Sequence, residues 1–245
     1  MLSIFNWKKP AADPLSFLKT DIHSHLLPGI DDGSTDMERT INYIEELHKI
    51  GYKKFITTPH VKAGIFPNTP AIINNALNEV REAIKPRNLD IEIEAAAEYL
   101  LDEEFESILQ RNELLSFGTK RYLLIEMSFI SPPPNLSQLI FKLKTSGYSP
   151  VMAHPERYPY WWESLDKIAD LKQVGCLLQL NLLSLAGYYG KKTKQVATKL
   201  LESGIIDFVG TDLHHERHLA DIQLLTKDSK LMKLLKNKAF LNEML

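Results

Sequence analysis

Short apolar runs alternate with amphipathic stretches along the whole chain. The apolar runs, each bounded by polar residues or turn signals, predict seven strands. The first strand comes just before His23, the second ends at His60, and the others lie near residues 91–98, 121–126, 150–154, 176–181 and 206–211. The amphipathic stretches predict helices over about 35–50, 69–85, 102–112, 136–146, 162–174, 191–203 and 229–242. A helix follows every strand, which is typical of a parallel sheet with right-handed crossovers.

Local signals support the first two helices. Thr35 and Glu38 have the spacing of a capping box, and Gly51 is placed to end the helix that follows. Thr69 precedes Pro70, so the second helix is predicted to begin with an N-cap threonine and a proline in the first helical position.

We therefore predict an α/β fold in which seven strands form a distorted β/α barrel similar to a TIM barrel. An open doubly wound sheet is the alternative architecture. The length of 245 residues matches a single barrel domain, which usually has about 250 residues. We predict one domain over residues 1–245, with residues 1–18 as a leader that packs on the barrel or trails from it.

Composition narrows the class of protein further. The 29 basic and 31 acidic side chains give a net charge of −2, so no overall field attracts nucleic acid. No apolar run approaches the roughly 20 residues that a membrane span needs. The single cysteine, Cys176, excludes an internal disulfide framework and fits a reducing compartment, so the cytoplasm is the expected location.

Histidines and carboxylates stand at the ends of the predicted strands. The carboxyl ends of parallel strands meet on one face of a β/α protein, so we expect these side chains to lie close together. Their nitrogen and oxygen donors, with no thiol among them, are typical of a multinuclear hydrolytic metal centre. The candidate ligands from this pattern are His23, His25, Asp32, His60, Glu98, Glu126, His154, Asp212 and His214.

Not every polar residue nearby is included in this set. Asp31 is predicted to serve a turn at the start of a helix, whereas Asp32 is placed on a metal. His48 lies inside a predicted helix, and His215 and His218 are predicted to be surface residues or to support the site from outside.

The motifs occur in an order that resembles the PHP (polymerase and histidinol phosphatase) superfamily. The order is His-x-His, Asp-Asp-Gly, Thr-Pro-His, a strand-end Glu, Ile-Glu-Met, Ala-His-Pro-Glu-Arg and Thr-Asp-x-His, and it spans about residues 20–218. The run from His23 to Gly33 and the run from His154 to Arg157 resemble most closely the bacterial manganese-dependent protein-tyrosine phosphatases of capsule and exopolysaccharide loci, the CpsB/CapC type. The resemblance implies a distorted seven-stranded β/α barrel of the PHP type.

The resemblance also implies a ligand map for three divalent ions, with manganese expected and iron, zinc or cobalt as alternatives. His23, His25 and Asp212 would hold the first ion, and Glu98 would bridge it to a second ion held by Glu126 and His154. Asp32, His60 and His214 would hold the third. Asp212 and His214 would thus belong to the catalytic set, together with Arg157. Arg157 would bind the substrate phosphate. Members of the family carry a further arginine several residues after the last motif histidine, and Arg217 is predicted to take that role, although it follows His214 at a shorter spacing.

The implied activity is hydrolysis of a phosphate monoester. The favoured substrate is a phosphotyrosyl protein, namely the cognate tyrosine kinase of capsular or exopolysaccharide biosynthesis. Two alternatives stay open: a histidinol-phosphate or other small-molecule phosphatase, and a non-catalytic regulatory scaffold stabilised by metal. A cysteine-based phosphatase is excluded because the position six residues after Cys176 is Leu182 rather than an arginine.

Several loops are predicted to form the rim of the site, where aromatic side chains could flank a phosphotyrosine ring. These are Val61 to Pro67, the proline run after Ser131, Tyr158 to Trp162, and Tyr188–Tyr189.

Overall fold

The computed structural model describes residues 13–245 and places nine strands in them. The strands are Thr20–Asp21 (β1), Lys54–Thr57 (β2), His60–Val61 (β3), Glu92–Ala95 (β4), Glu98–Leu100 (β5), Tyr122–Glu126 (β6), Ser149–Ala153 (β7), Leu177–Asn181 (β8) and Phe208–Gly210 (β9). The α-helices are Met37–Lys49 (α1), Pro70–Ile84 (α2), Phe105–Gln110 (α3), Leu136–Thr145 (α4), Leu165–Gln173 (α5), Leu182–Ala186 (α6), Lys191–Ser203 (α7), Glu216–Leu225 (α8) and Ser229–Lys236 (α9).

Every predicted helix is present, with differences at the ends. Thr69 caps α2 as predicted, but the predicted capping role of Thr35 is wrong. Asp36 caps α1 instead, and its carboxylate accepts a hydrogen bond from the Arg39 amide at 3.0 Å. The two α-helices in the described residues that the sequence pattern did not predict are α6, which follows β8, and α8, which follows the segment with Asp212 and His214.

Two of the predicted strands are each divided in two, so nine strands replace the predicted seven. The first break lies at Thr58–Pro59, between β2 and β3, where proline has no amide hydrogen to donate. The second lies at Ala96–Ala97, between β4 and β5. All strand pairs are parallel, in a three-stranded sheet of order β1-β2-β4 and a six-stranded sheet of order β3-β5-β6-β7-β8-β9.

Backbone hydrogen bonds continue from one sheet to the other and curl them into a barrel-like wall. The Ala96 amide donates to the Thr57 carbonyl at 2.9 Å, across the breaks. At the opposite edge the Asp212 amide donates to the His23 carbonyl at 2.7 Å, and Ser24 pairs in parallel with Leu213. The segments that follow β1 and β9 therefore meet. The parallel β/α architecture is confirmed, in a barrel-like form.

The period-two alternation of strand residues determines which side chains enter the barrel. Ile22, Ile56, Leu124, Val151 and Phe208 are fully buried in one small cluster supplied by many strands. A larger apolar cluster lies between the strands and the surrounding helices. The inner cluster therefore fills the barrel below the carboxyl ends of the strands, where the site residues are.

Part of the predicted leader packs against the body of the protein. Leu15 and Leu18 are fully buried, and the Leu15 amide donates to the Ile50 carbonyl at 2.8 Å. Gly51, which follows α1, has φ +120°, and a Cβ there would stand 2.4 Å from the Ser16 amide nitrogen. Residues 1–12 of the leader lie outside the described residues. None of the helices in the described part of the chain is long and apolar enough to cross a membrane.

Candidate metal centre

The Glu98 carboxylate lies at the centre of the strand-end residues and is fully buried. One of its oxygens, Oε2, is 3.2 Å from His23 Nε2, 3.5 Å from His25 Nε2 and 3.2 Å from His60 Nδ1. The other oxygen, Oε1, is 3.1 Å from His154 Nε2. Glu98 enters the barrel because it stands two residues after Ala96, which belongs to the inner cluster.

Three groups of possible ligands share residues around this carboxylate. In each group the donor atoms lie within 4.8 Å of one another. The groups are His23, His25, Glu98 and Asp212; His60, Glu98 and Glu126; and His25, Asp32, His60 and His214. The structure thus brings together all nine candidate ligands, because His154 joins them through its contact with Glu98.

The resemblance implies a ligand map in which His60 belongs with Asp32 and His214. The groups in the structure differ from that map at His60. His60 Nδ1 faces Glu98 and Glu126, whereas its Nε2 is 3.5 Å from Asp32 Oδ1. His60 therefore lies between two of the groups. Asp32 Oδ1 is also 3.5 Å from His214 Nε2, and the Asp32 side chain is 59% exposed, at the open side of the site.

His154 enters the site through an unusual backbone conformation. Val151 and Ala153 point into the barrel, so a regular strand would point residue 154 away from it. His154 has φ +34°, a left-handed conformation that is rare for residues other than glycine. The change of direction brings its imidazole to Glu98. Asp212 also has positive φ, +50°, so two of the candidate ligands stand on strained corners.

Side chains behind the candidate ligands determine which ring nitrogens face the centre. His23 Nδ1 donates to Gln179 Oε1 at 2.9 Å, and His25 Nδ1 donates to Asp31 Oδ2 at 2.7 Å. Nε2 of each ring is therefore available to a cation, as is usual for metal-binding histidines. Asp31 Oδ2 also accepts the His60 amide at 3.1 Å, so the prediction that Asp31 serves only a turn is incomplete.

Gln179 is a functional residue that the sequence pattern missed. It lies on β8, and its Oε1 accepts hydrogen bonds from both the His23 ring and the His154 amide, the latter at 3.2 Å. A polar residue at the centre of the apolar run Leu177–Asn181 was the available signal. Its position behind two ligands indicates that it orients them.

We expect the Gln179→Leu substitution to lower the affinity for Mn²⁺ by about tenfold to a hundredfold, the usual effect of losing such an orienting partner. The imidazole of His23 would lose the acceptor that fixes its tautomer. Titration of the chelator-stripped protein with Mn²⁺ measures the change. Gln223→Leu is the matched control, because the Gln223 side chain donates to Glu46 Oε2, away from the candidate ligands. Equal Mn²⁺ affinity in both variants would contradict the orienting role.

The two oxygens of the Asp212 carboxylate face different partners. Oδ1 is 3.3 Å from His23 Nε2 and 3.4 Å from His25 Nε2. Oδ2 accepts hydrogen bonds from Asn181 Nδ2 at 2.6 Å and from Arg157 Nη1 at 2.8 Å. One oxygen is thus presented to the centre while the other is held in place. Asn181, like Gln179, was not predicted from the sequence.

Burial and neighbouring charges act in opposite directions on the pKa values of Glu98, Asp212 and His23. Burial by itself would raise the pKa of Glu98, but the charges of His23 and His60 hold the pKa well below its usual value. Burial likewise opposes ionisation of Asp212, whose pKa is lowered by His23 and His214. Burial lowers the pKa of the His23 ring, but the neighbouring Glu98 and Asp212 outweigh it and raise the pKa to about 9. The buried carboxylates and the imidazole of His23 thus stabilise each other's charged forms.

The donor set fits divalent metal ions. Carboxylate oxygens and imidazole nitrogens, without thiolate, suit manganese, iron, zinc or cobalt. His154 Nδ1 is buried and has no hydrogen-bond partner among the described residues, as also holds for Gln179 Nε2. Such densely packed ionisable groups at the mouth of a barrel are hard to explain by stability alone, because burying charged groups is costly.

A cavity of about 340 Å³ opens above the candidate ligands. Besides ligands, its lining includes Lys62, Phe66, Phe129, Arg157, Tyr189, His215 and His218. The guanidinium of Arg157 stacks 4.1 Å above the Tyr189 ring. Arg217, in contrast, does not line the cavity and lies 5.3 Å above the Tyr188 ring, so its role in phosphate binding stays a prediction.

His215 and His218 are closer to the site than the sequence pattern indicated. Burial, together with His215 and His214, lowers the pKa of His218 to about 3, so its imidazole is neutral. Its Nδ1 accepts a hydrogen bond from the His214 amide at 3.3 Å. Proximity to the Asp212–His214 motif was the only signal in the sequence for this support.

The fold and the site define a class of protein: a parallel β/α protein with a nitrogen- and oxygen-lined metal centre at the carboxyl ends of its strands. The family model for capsular polysaccharide synthesis, CpsB/CapC, matches residues 19–229. The chain therefore belongs to the CpsB/CapC family.

Named relatives and a solved structure agree with this membership. The tyrosine-protein phosphatase YwqE of Bacillus subtilis is 33% identical over 195 residues, which cover 80% of this chain and 77% of YwqE. The tyrosine-protein phosphatase CpsB of Streptococcus pneumoniae is 28% identical over 200 residues, covering 80% and 82%. A solved structure from work on YwqE and CpsB, described as unique metal-dependent tyrosine phosphatases, matches with a TM-score of 0.77 and 30% identity. That match covers 90% of this chain and 96% of the other.

Proposed function

We propose that this chain is a metal-dependent tyrosine-protein phosphatase of capsular polysaccharide synthesis. The observation that carries the proposal is the convergence of nine candidate ligand residues, with Glu98 at their centre, beside the arginine of the same cavity. The names of the relatives support the same activity.

We propose the ligand map implied by the sequence motifs for three divalent ions, manganese being the expected metal. His23, His25, Asp212 and Glu98 would hold one ion; Glu98, Glu126 and His154 a second; and Asp32, His60 and His214 a third. When bound, such ions neutralise charge on a phosphoryl group and lower the pKa of water toward neutrality. The contacts of Glu98 with four imidazoles support its bridging position.

Arg157 is proposed to hold the substrate phosphate. Among residues 13–245 its guanidinium donates one hydrogen bond, from Nη1 to Asp212 Oδ2, and its other N–H donors could bind phosphate oxygens. Its half-buried position in the cavity wall orients the phosphate above the ligands, and Tyr189 restricts its movement by stacking. Tyrosine is a favourable leaving group because its hydroxyl has a pKa of about 10, so its phenolate leaves without strict need of a proton donor.

Four further predictions, on the barrel, the domain, the protein substrate and the cellular location, belong to this proposal. We propose a distorted seven-stranded barrel of the PHP type, with each of the two broken strands counted as one, and a single domain over residues 1–245. We also propose that the substrate is the cognate tyrosine kinase of polysaccharide export and that the enzyme acts in the cytoplasm. The lone buried thiol, Cys176, suits a reducing compartment.

Phosphate release by chelator-stripped protein, with and without added Mn²⁺, tests the proposed function. The substrates are a phosphotyrosyl peptide, a phosphoseryl peptide and histidinol phosphate, and the His23→Ala variant is the control. We expect release that depends on Mn²⁺, that favours phosphotyrosine, and that is lost in the variant. Preference for histidinol phosphate would assign a small-molecule phosphatase instead, and no release from any substrate would favour the regulatory scaffold.

A further inference from the structure

Two phenylalanines line the cavity, and each stacks on the imidazole of a candidate ligand. The Phe66 ring centroid is 5.7 Å from that of His60, with 12° between the planes. The Phe129 centroid is 6.0 Å from that of His154, with 18° between the planes. Phe129 also has the Arg157 guanidinium 4.9 Å above its ring, but 42% of its surface is still exposed.

The two rings belong to opposite sides of the site. Phe66 follows β3 and Phe129 follows β6, but their imidazole partners stand on β3 and just after β7. In the sheet order β3-β5-β6-β7, those positions are three strand spacings apart, up to about 14 Å. The strands between them, β5 and β6, carry Glu98 and Glu126. The rings therefore flank the carboxylates from two sides.

The backbone holds Phe66 in a tight loop. The Lys62 amide donates to the Phe66 carbonyl at 3.0 Å, and the Phe66 amide donates back to the Lys62 carbonyl at 2.9 Å. Asn68 Nδ2 donates to the His60 carbonyl at 2.8 Å, and the Ala63 amide donates to Asp102 Oδ2 at 2.8 Å. These hydrogen bonds fix the backbone of the loop from which the Phe66 ring extends.

Two tyrosine hydroxyls hold the loop that carries Phe129. The Met127 amide donates to Tyr158 Oη at 3.0 Å, and Tyr160 Oη donates to the Ser128 carbonyl at 2.9 Å. These tyrosines come from the predicted rim segment Tyr158 to Trp162. Tyr158 is fully buried, so this segment supports the rim from behind, and Phe129 forms the surface.

Apolar surface continues outward from both rings. Ile65, next to Phe66, is 57% exposed, and Ile130, next to Phe129, is 89% exposed. The floor of the cavity, in contrast, consists of ionisable donors and Arg157. A ligand that matches both parts has a doubly charged end and an apolar ring joined directly to it. An aryl phosphate monoester has this form.

We propose that Phe66 and Phe129 form an aromatic clamp for the aryl ring of the substrate, and that the clamp determines the preference for aryl over alkyl phosphate esters. The inference rests on the proposed function, because it places a phosphoryl group at the candidate metal centre. Ring-to-ring contacts contribute favourable energy beyond area burial, and the clamp directs that energy to substrates that have a ring.

Two phosphonates that differ only in the ring test the clamp without turnover. Calorimetric titration of Mn²⁺-loaded protein with phenylphosphonate and with methylphosphonate gives the ratio of their affinities. We expect the wild-type protein to prefer phenylphosphonate. Phe66→Ala and Phe129→Ala should each lower the ratio about threefold to tenfold, because the loss of affinity is larger for the phosphonate that has a ring. Phe129→Tyr should keep the preference, because it retains the ring.

Phe141→Ala is the matched control, since Phe141 is 68% exposed on α4 and does not line the cavity. An unchanged ratio in both alanine variants would overturn the clamp, as would an equal loss of affinity for both phosphonates. Hydrolysis of a phosphotyrosyl peptide, measured in parallel, separates the two proposals. Failure of the wild-type protein to hydrolyse it would reject the proposed function, whereas a ring preference that depends on the two phenylalanines would still support the clamp.

Discussion

The Glu98→Gln variant is expected to lose on the order of a thousandfold in kcat/KM toward a phosphotyrosyl peptide. Bound metals contribute several kcal/mol of transition-state stabilisation, and each ~1.4 kcal/mol is a factor of ten in rate. Glutamine replaces one carboxylate oxygen with an amide nitrogen, which cannot bind a cation. Because each oxygen of Glu98 contacts a different set of imidazoles, either orientation of the amide removes a donor that the proposed ions share.

Metal content and activity, measured on the same preparation, check this expectation. Glu94→Gln is the matched control, because Glu94 lies on neighbouring β4 and bonds to Lys54 Nζ at 2.7 Å, outside the site. The control should keep both metal and activity. If Glu98→Gln also bound its full complement of Mn²⁺ and turned over normally, Glu98 would not be the bridging ligand.

The Arg157→Ala variant should show a KM for the phosphotyrosyl peptide raised about 10- to 100-fold. A hydrogen bond to a charged group contributes about 1.5–3 kcal/mol, and each ~1.4 kcal/mol is tenfold in affinity. Metal content should not change, because Asn181 Nδ2 still holds Asp212 Oδ2 at 2.6 Å. Arg157→Lys should recover only part of the loss, since lysine retains the charge but not the planar stacking on Tyr189.

Steady-state kinetics with metal analysis distinguish phosphate binding from support of the ligands. Loss of bound Mn²⁺ in Arg157→Ala would show that the arginine mainly stabilises Asp212. Arg121→Ala is the control, because Arg121 stacks on Tyr148 away from the cavity. Arg217→Ala tests the second predicted phosphate contact, and a KM increase as large as that of Arg157→Ala would place Arg217 in the site despite its position over Tyr188.

The candidate ligands were accessible from the sequence because strand geometry follows a simple rule. Glu98 and Glu126 stand in phase with inner residues of their strands, and the carboxyl ends of parallel strands meet. His154 is an exception to this rule. Because Val151 and Ala153 point into the barrel, regular strand alternation would direct the His154 side chain away from it. Its left-handed backbone conformation brings it in, and no signal in the run of residues 150–154 indicates that conformation.

The supporting residues were not accessible in the same way. Gln179 and Asn181 act through contacts with residues 25 to 156 positions away, which only the folded arrangement of the strands reveals. The strand break at Pro59 has a cause that the sequence shows, because proline has no amide hydrogen to donate. The sequence shows no such cause for the break after Ala95. Helix α8 was not predicted, although Leu219, Ile222 and Leu225 have the spacing of a buried helical face.

The meeting of the segments after β1 and β9 has a consequence for how the protein folds. Thr211 donates through both its amide and its hydroxyl to Asp21, across 190 positions of the chain. Contacts between such distant residues are slow to form, because the entropy of closing the loop is lost before they contribute. The candidate metal site at His23 and His25 would therefore be incomplete until the segment that carries Asp212, just after β9, has been synthesised and has docked. During synthesis, assembly of the candidate metal site would be a late event, and any metal bound earlier by these histidines would be held without Asp212.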